Sequence, residues 1–190
     1  MQKKDSTFIN MVLSLMVITI VAGFSLGFVN DLTKGPKAKA KLERKINALK
    51  LVLPNFDNNP VADKKLIKSD KAKDSIEIYT ALLDSVIVGS AFTVPSYKGF
   101  SGLIKIMVGF NPNGKIQNIV VLEQKETPGL GTKIKDEKFI DQFRNKDPSS
   151  FNLKVIKDGG NVDAITGATI TSRAFGEATQ LAYDEFIKNK

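Results

Sequence analysis

The stretch LIKIMVGFNPNGKIQNIVVL, Leu103 to Leu122, decides the fold. Leu103 to Phe110 is an apolar run of strand length. Asn111-Pro112-Asn113-Gly114 supplies turn chemistry, and Ile116 to Leu122 resumes the apolar character. Two such runs joined through Asn-Gly read as an antiparallel hairpin. Upstream of it, Ile76, Ile78 and Thr80 alternate with Glu77 and Tyr79, a strand pattern. Asp84-Ser85 then turns the chain into Val86-Ile87-Val88, which ends at Gly89. Downstream, Asp136 to Phe143 carries helix signals, with Phe139 and Phe143 one turn apart. Phe151 to Ile156 reads as another short strand. Thr171 to Lys188 reads as a helix with Phe175, Ala178, Leu181, Ala182 and Phe186 on one face. Consecutive strands flanked by helices predict an α+β domain with an antiparallel sheet over residues 75–190.

Ahead of that domain the character changes twice. Gly35-Pro36 reads as the start of a helix, because proline suits a first helical position. Leu42, Ile46, Leu49 and Val52 with Leu53 give it an apolar face, and Pro54 ends it. Asn55 to Asp74 is polar, holds Pro60 and many lysines, and reads as loop; residues 31–74 are thus an amphipathic helix and a polar linker. From Ser6 to Asn30 there is no charged residue, and Phe8 to Val29 is mostly apolar. A helix of that length spans the roughly 30 Å of a bilayer's hydrocarbon core. A signal peptide has a shorter apolar region and ends in a small-x-small site, which Gly27-Phe28-Val29-Asn30 is not. Residues 1–30 are therefore expected to be an uncleaved single-pass anchor in the lipid bilayer. Lys3 and Lys4 precede it, whereas Lys34, Lys37, Lys39, Lys41, Arg44 and Lys45 follow it. Charge bias alone would put the C-terminal domain in the cytoplasm.

Composition removes whole classes of chemistry. The 190 residues include no Cys and no His. That excludes cysteine or histidine nucleophile–base pairs, thiolate iron–sulfur sites, axial His or Cys haem ligation and the usual zinc sites. No metal site is expected. Any redox role falls to an organic cofactor. The net charge is +8, but only Arg44, Arg144 and Arg173 are arginines. No aromatic pattern interleaves with them, so nucleic acid is not the expected partner.

Two segments break the regular pattern. The first is ETPGLGTK, with Glu126, Thr127, Pro128, Gly129, Leu130, Gly131, Thr132 and Lys133. Its glycines let a ligand approach the backbone closely, although taken alone an ordinary strand-to-helix loop is the better reading of it. The second runs from Gly159 to Ser172 and holds four hydroxyls at a helix start, on Thr166, Thr169, Thr171 and Ser172. Thr and Ser are good N-caps. The same amides and helix dipole also favour a phosphate group. Neither a Walker pattern nor GxGxxG is present.

DAITGAT, Asp163 to Thr169, matches the Asp-x-x-(Ser/Thr)-Gly-Ala-Thr pattern of the FMN-binding domain family, which the chain resembles. The resemblance implies FMN joined through its phosphate to the last Thr of the motif, Thr169, by a flavin transferase. Asp163, Thr166, Gly167 and Ala168 fill the other motif positions, with Thr171 and Ser172 beside them. In the same reading ETPGLGTK is the loop that closes around the flavin. Gly99-Phe100-Ser101-Gly102 resembles the family's glycine turn ahead of it.

Behind one N-terminal helix, these motifs are similar to those of the G-subunit branch, from Rnf electron-transport complexes. The related C subunits of sodium-pumping NADH:quinone oxidoreductases are longer. The branch implies an electron-relaying subunit of a multi-subunit ferredoxin:NAD oxidoreductase coupled to ion transport, not catalytic alone. It also implies a bacterial cytoplasmic membrane with the flavin domain on the extracytoplasmic face, against the lysine count. The family expectation prevails, because domains of this size translocate largely regardless of charge. The rival readings are a stand-alone flavin-domain reductase and a membrane-tethered binding module without cofactor.

Overall fold

Five strands form a single antiparallel meander in the computed structural model, which describes residues 7–69, 71 and 74–190. Lys3 and Lys4 lie outside the described residues. The strands are β1 (Lys65–Ile67), β2 (Ile76–Leu83), β3 (Val86–Gly99), β4 (Gly102–Phe110) and β5 (Ile116–Gln124), each paired with the next. The expected hairpin is β4–β5, with Met107 opposite Val120 and Val108 opposite Ile119. Its turn is closed by the Asn111 side chain, which accepts from the amides of Asn113 and Lys115, both at 3.0 Å.

The helices are α1 (Phe8–Val52), the single turn α2 (Glu137–Ile140) and α3 (Thr169–Lys188). The chain divides into two units, residues up to Glu43 and residues 44–190. In the first, α1 exposes its apolar side chains from Phe8 to Leu32, and the helix is long and apolar enough to cross a membrane. In the second, the sheet is covered on both faces. Alternation along the strands sends Phe92, Val94, Ile106 and Val108 to one side, against Phe175, Ala178, Ala182 and Phe186 of α3. It sends Tyr79, Ala81, Ala91 and Met107 to the other, against Ala48, Leu49, Val52 and Leu53. Burial of each large apolar side chain contributes about 1.5–3 kcal/mol. Two aromatic groups fix α3 at its ends. Phe186 packs on Phe92 and Phe110, with centroids 6.2 and 5.0 Å away. Phe175 packs on Phe139 and Phe143, at 5.2 and 5.1 Å.

Four elements differ from the sequence reading. No new helix opens at Gly35-Pro36, because α1 runs through Pro36 without a break. Helix-forming Lys, Ala and Leu residues on both sides carry it past one missing N–H. The polar stretch 55–74 is not all loop: Lys65–Ile67 adds an edge strand, Leu66 opposite Glu77. β3 extends far beyond Gly89 and contains Pro95. Pairing with β2 reaches only Thr93, so Pro95 has no neighbour on that side to leave unpaired. Finally, Phe151 to Ile156 joins no sheet. Leu153 and Val155 are buried in alternation, but among the described residues the segment's one bridge is the isolated pair Val155 and Val162. A period of two without an available sheet edge leaves a self-closed loop, which leads directly into the motif at Asp163.

Candidate functional site

α3 begins at Thr169, two residues before the expected start. Ala168 is the residue before its first turn, with φ −138° and ψ 41°, and no side chain caps the helix. The N-cap reading of these hydroxyls is thus replaced by a more specific division of labour. Ser172 is fully buried. It accepts from the Ile165 amide and donates to the Ala168 carbonyl, both at 3.0 Å, fastening the motif loop to the first helical turn. Thr171 is also buried and donates to Glu126 Oε2 at 2.6 Å. Thr166 is exposed. Thr169 is half-buried, and its hydroxyl makes no hydrogen bond among the described residues. The first amides of α3 lack intrahelical acceptors and are also free of a side-chain cap.

The loop from Glu126 to Lys133 folds back on itself beside that helix start. The Thr127 carbonyl accepts from the amides of Leu130 and Thr132 at 3.2 and 3.3 Å, and the Thr132 hydroxyl from Gly129 at 3.0 Å. Leu130 is thereby held out, 43% exposed, with its Cδ2 3.2 Å from where a β-carbon on Gly167 would lie. Gly167 has φ +76°, a backbone that only glycine adopts without strain. Under the loop, the Glu126 carboxylate is buried, and Ser101 donates its amide to Oε1 at 3.0 Å.

These segments enclose a cleft of about 370 Å³. It brings together Glu126, Thr127, Leu130, Gly131, Gly167, Ala168, Thr169 and Thr171, with Phe100 and Ile170 added. Other expected residues lie elsewhere. Asp163, Thr166 and Lys133 line a neighbouring cleft of about 480 Å³ beside Phe139 and Gln142. There the Gln142 amide grips the Asp163 backbone, accepting from its N–H at 2.7 Å and donating to its carbonyl at 3.3 Å. Pro128 and Gly129 form the exposed loop tip, Thr132 serves the turn, and Ser172 lies beneath the cleft.

Phe100 and Ile170 escaped the sequence reading as site residues. They are 69% and 49% exposed and, with Leu130, give the cleft three exposed apolar side chains. The available signals were an aromatic inside a glycine turn and an isoleucine in the first turn of an otherwise amphipathic helix. On the outer side of α3, Arg173 donates to both Asp158 oxygens, at 2.6 and 2.7 Å, and holds that carboxyl below its ordinary range. This pair ties the loop preceding the motif to the helix. An uncapped helix start, an unbonded hydroxyl and an apolar rim suit a ligand with an anionic end and a flat apolar body.

The FMN-binding domain family matches residues 99–184. The G subunit of the ion-translocating oxidoreductase complex of Cereibacter sphaeroides is 35% identical over 170 residues, covering 85% of this chain and 76% of that protein. Its counterpart in Aliivibrio fischeri is 34% identical, covering 91% and 86%. The G subunit of the Na(+)-translocating ferredoxin:NAD(+) oxidoreductase complex of Acetobacterium woodii is 32% identical, covering 85% and 83%. Among solved structures, NqrC of Shewanella oneidensis is 27% identical, with a TM-score of 0.47 and 63% of each chain covered.

Proposed function

Because the chain belongs to the G-subunit family of ion-translocating oxidoreductase complexes and carries its FMN-binding domain, we propose that it relays electrons through FMN esterified to Thr169. The observation that carries this reading is the Thr169 hydroxyl, unbonded at the uncapped start of α3 and facing a cleft rimmed by Phe100, Leu130 and Ile170. The residues present fit the group. Thr171 and Ser172 already spend their hydroxyls on Glu126 and on the loop backbone. Thr166 opens on the neighbouring cleft, so among the four hydroxyls at the helix start Thr169 is the one that meets this cleft unbonded, which supports it as the acceptor.

When bound, FMN supplies one- or two-electron transfer. The free amides of α3 offer its phosphate hydrogen bonds, and the helix dipole adds about 0.3–1 kcal/mol. Phe100, Leu130 and Ile170 cover apolar ring surface and exclude water from it. The chain itself turns over no substrate. It serves as a single-pass membrane subunit whose electrons come from and go to other subunits of the complex. A flavin transferase is its partner in maturation, and the flavin domain lies on the extracytoplasmic face of the bacterial cytoplasmic membrane.

Co-expression with a flavin transferase tests the attachment. The wild-type chain is expected to fluoresce as flavin on a denaturing gel and to gain the mass of one FMN less one water. Thr169→Ala should abolish both, and Thr166→Ala should retain them. Fluorescence surviving Thr169→Ala would sink the assignment. A colourless wild-type protein with the mass of the bare chain would favour the cofactor-free module instead.

A further inference from the structure

The part of the cleft not explained by ligand contact is its floor. Glu126 is only 4% exposed, yet no lysine or arginine pairs with it among the described residues. Both oxygens accept: Oε1 from the Ser101 amide at 3.0 Å, Oε2 from the Thr171 hydroxyl at 2.6 Å. The backbone makes room for the carboxylate. A β-carbon on Gly99 would lie 2.6 Å from Oε1, and one on Gly131 would lie 2.6 Å from Oε2. One carboxylate therefore joins the three segments that form the cleft: the Gly99–Gly102 turn carrying Phe100, the loop carrying Leu130, and the α3 start carrying Thr169.

We propose that Glu126 is the positioning residue of this cleft, and that its charge lowers the reduction potential of the flavin held there; this rests on the Thr169 reading above. Removing an acceptor from a buried site strands the Ser101 amide or the Thr171 hydroxyl, so the three segments lose their common tie. Reduction adds electrons to the bound ring, and a fixed negative charge lining the cleft opposes that addition. Glu126→Gln preserves shape and removes the charge, its oxygen still able to accept from the Ser101 amide and its NH2 able to donate to the Thr171 oxygen, whereas Glu126→Ala removes both acceptors.

The test uses the full chain with and without flavin. In the flavin-loaded molecules, Glu126→Gln should titrate at a higher potential than wild type. Glu126→Asp retains the charge and should return the potential toward wild type. In the flavin-free protein, trypsin should cut after Lys125 and Lys133 roughly tenfold faster in Glu126→Ala than in wild type. Should Glu126→Ala fail to fold, Thr171→Val removes a single donor, and the same faster cutting is expected of it. Unchanged cutting in both variants would overturn the tie. An unchanged potential in a loaded Glu126→Gln would overturn the electrostatic role. Wild-type protein that takes up no flavin at all would remove the Thr169 reading, and the electrostatic role with it, while the trypsin result would still decide the tie.

Discussion

Thr169 and Ser172 are one helical turn apart, and both are hydroxyl residues in the same motif, yet they hold opposite positions in the energetics. Ser172 satisfies the Ile165 amide and the Ala168 carbonyl inside a fully buried environment. Ser172→Ala leaves that amide without an acceptor and should destabilise residues 44–190 by about 1–3 kcal/mol in urea unfolding. Thr169 makes no side-chain hydrogen bond and does not cap the helix. Thr169→Ala should therefore change stability by less than about 0.5 kcal/mol while eliminating covalent flavin. If Thr169→Ala were the more destabilising of the two, its hydroxyl would have a structural use and the functional argument would weaken. The motif's spacing alone marked this region, but it could not divide four hydroxyls among four roles. That division depends on burial and on partners 45 residues away in the chain, such as Glu126 with Thr171.

At the scale of elements, the last turns of α1 are joined to the sheet by a compact polar cluster. Lys45 Nζ contacts both Glu77 oxygens, at 2.8 and 2.6 Å, and the Tyr79 hydroxyl donates to Oε2 at 2.7 Å. Burial alone would raise the Glu77 carboxyl, but the Lys45 and Tyr79 hydrogen bonds outweigh it and bring the group below its ordinary 4.5. A depressed carboxyl stabilises the fold above its unfolded-state value, and that contribution is lost as pH falls through the folded value. Urea midpoints should thus be level from about pH 5.5 to 7.5 and fall below about pH 4.5. Glu77→Gln should flatten part of that acid limb. Lys45→Met strands a largely buried carboxylate and should cost about 1–3 kcal/mol at neutral pH. An acid limb identical in Glu77→Gln and wild type would show that other carboxyls dominate. Two apolar runs joined through Asn-Gly made the central hairpin legible in the sequence, and the helical period of one buried face made α3 legible. The helix through Pro36, the edge strand β1 and the loop at Leu153–Val162 were not legible. Each is fixed by neighbours remote in sequence or by the tolerance of a long helix for one missing hydrogen bond.

At the scale of the whole molecule, the open question is which side of the membrane receives residues 44–190. The 22 mostly apolar residues from Phe8 to Val29 suffice for a crossing of roughly 30 Å. The basic cluster that follows argues for the cytoplasm by charge bias. Part of that cluster has another use, since Lys45 is committed to Glu77. Lys34, Lys37, Lys39 and Lys41 remain exposed on the helix. A folded unit of this size is translocated largely regardless of such charges, so the G-subunit family expectation of an extracytoplasmic domain stands against the local count. The sequence offers a clean way to decide, because it contains no cysteine. Ser150→Cys places one thiol on an exposed turn of the flavin domain. A membrane-impermeant maleimide applied to intact spheroplasts should label it fully, without any gain on lysis. Labelling that appears only after lysis would place the domain in the cytoplasm. The basic cluster would then have dictated topology, and electron relay on the outer face would have to be abandoned even if Thr169 still carried its flavin.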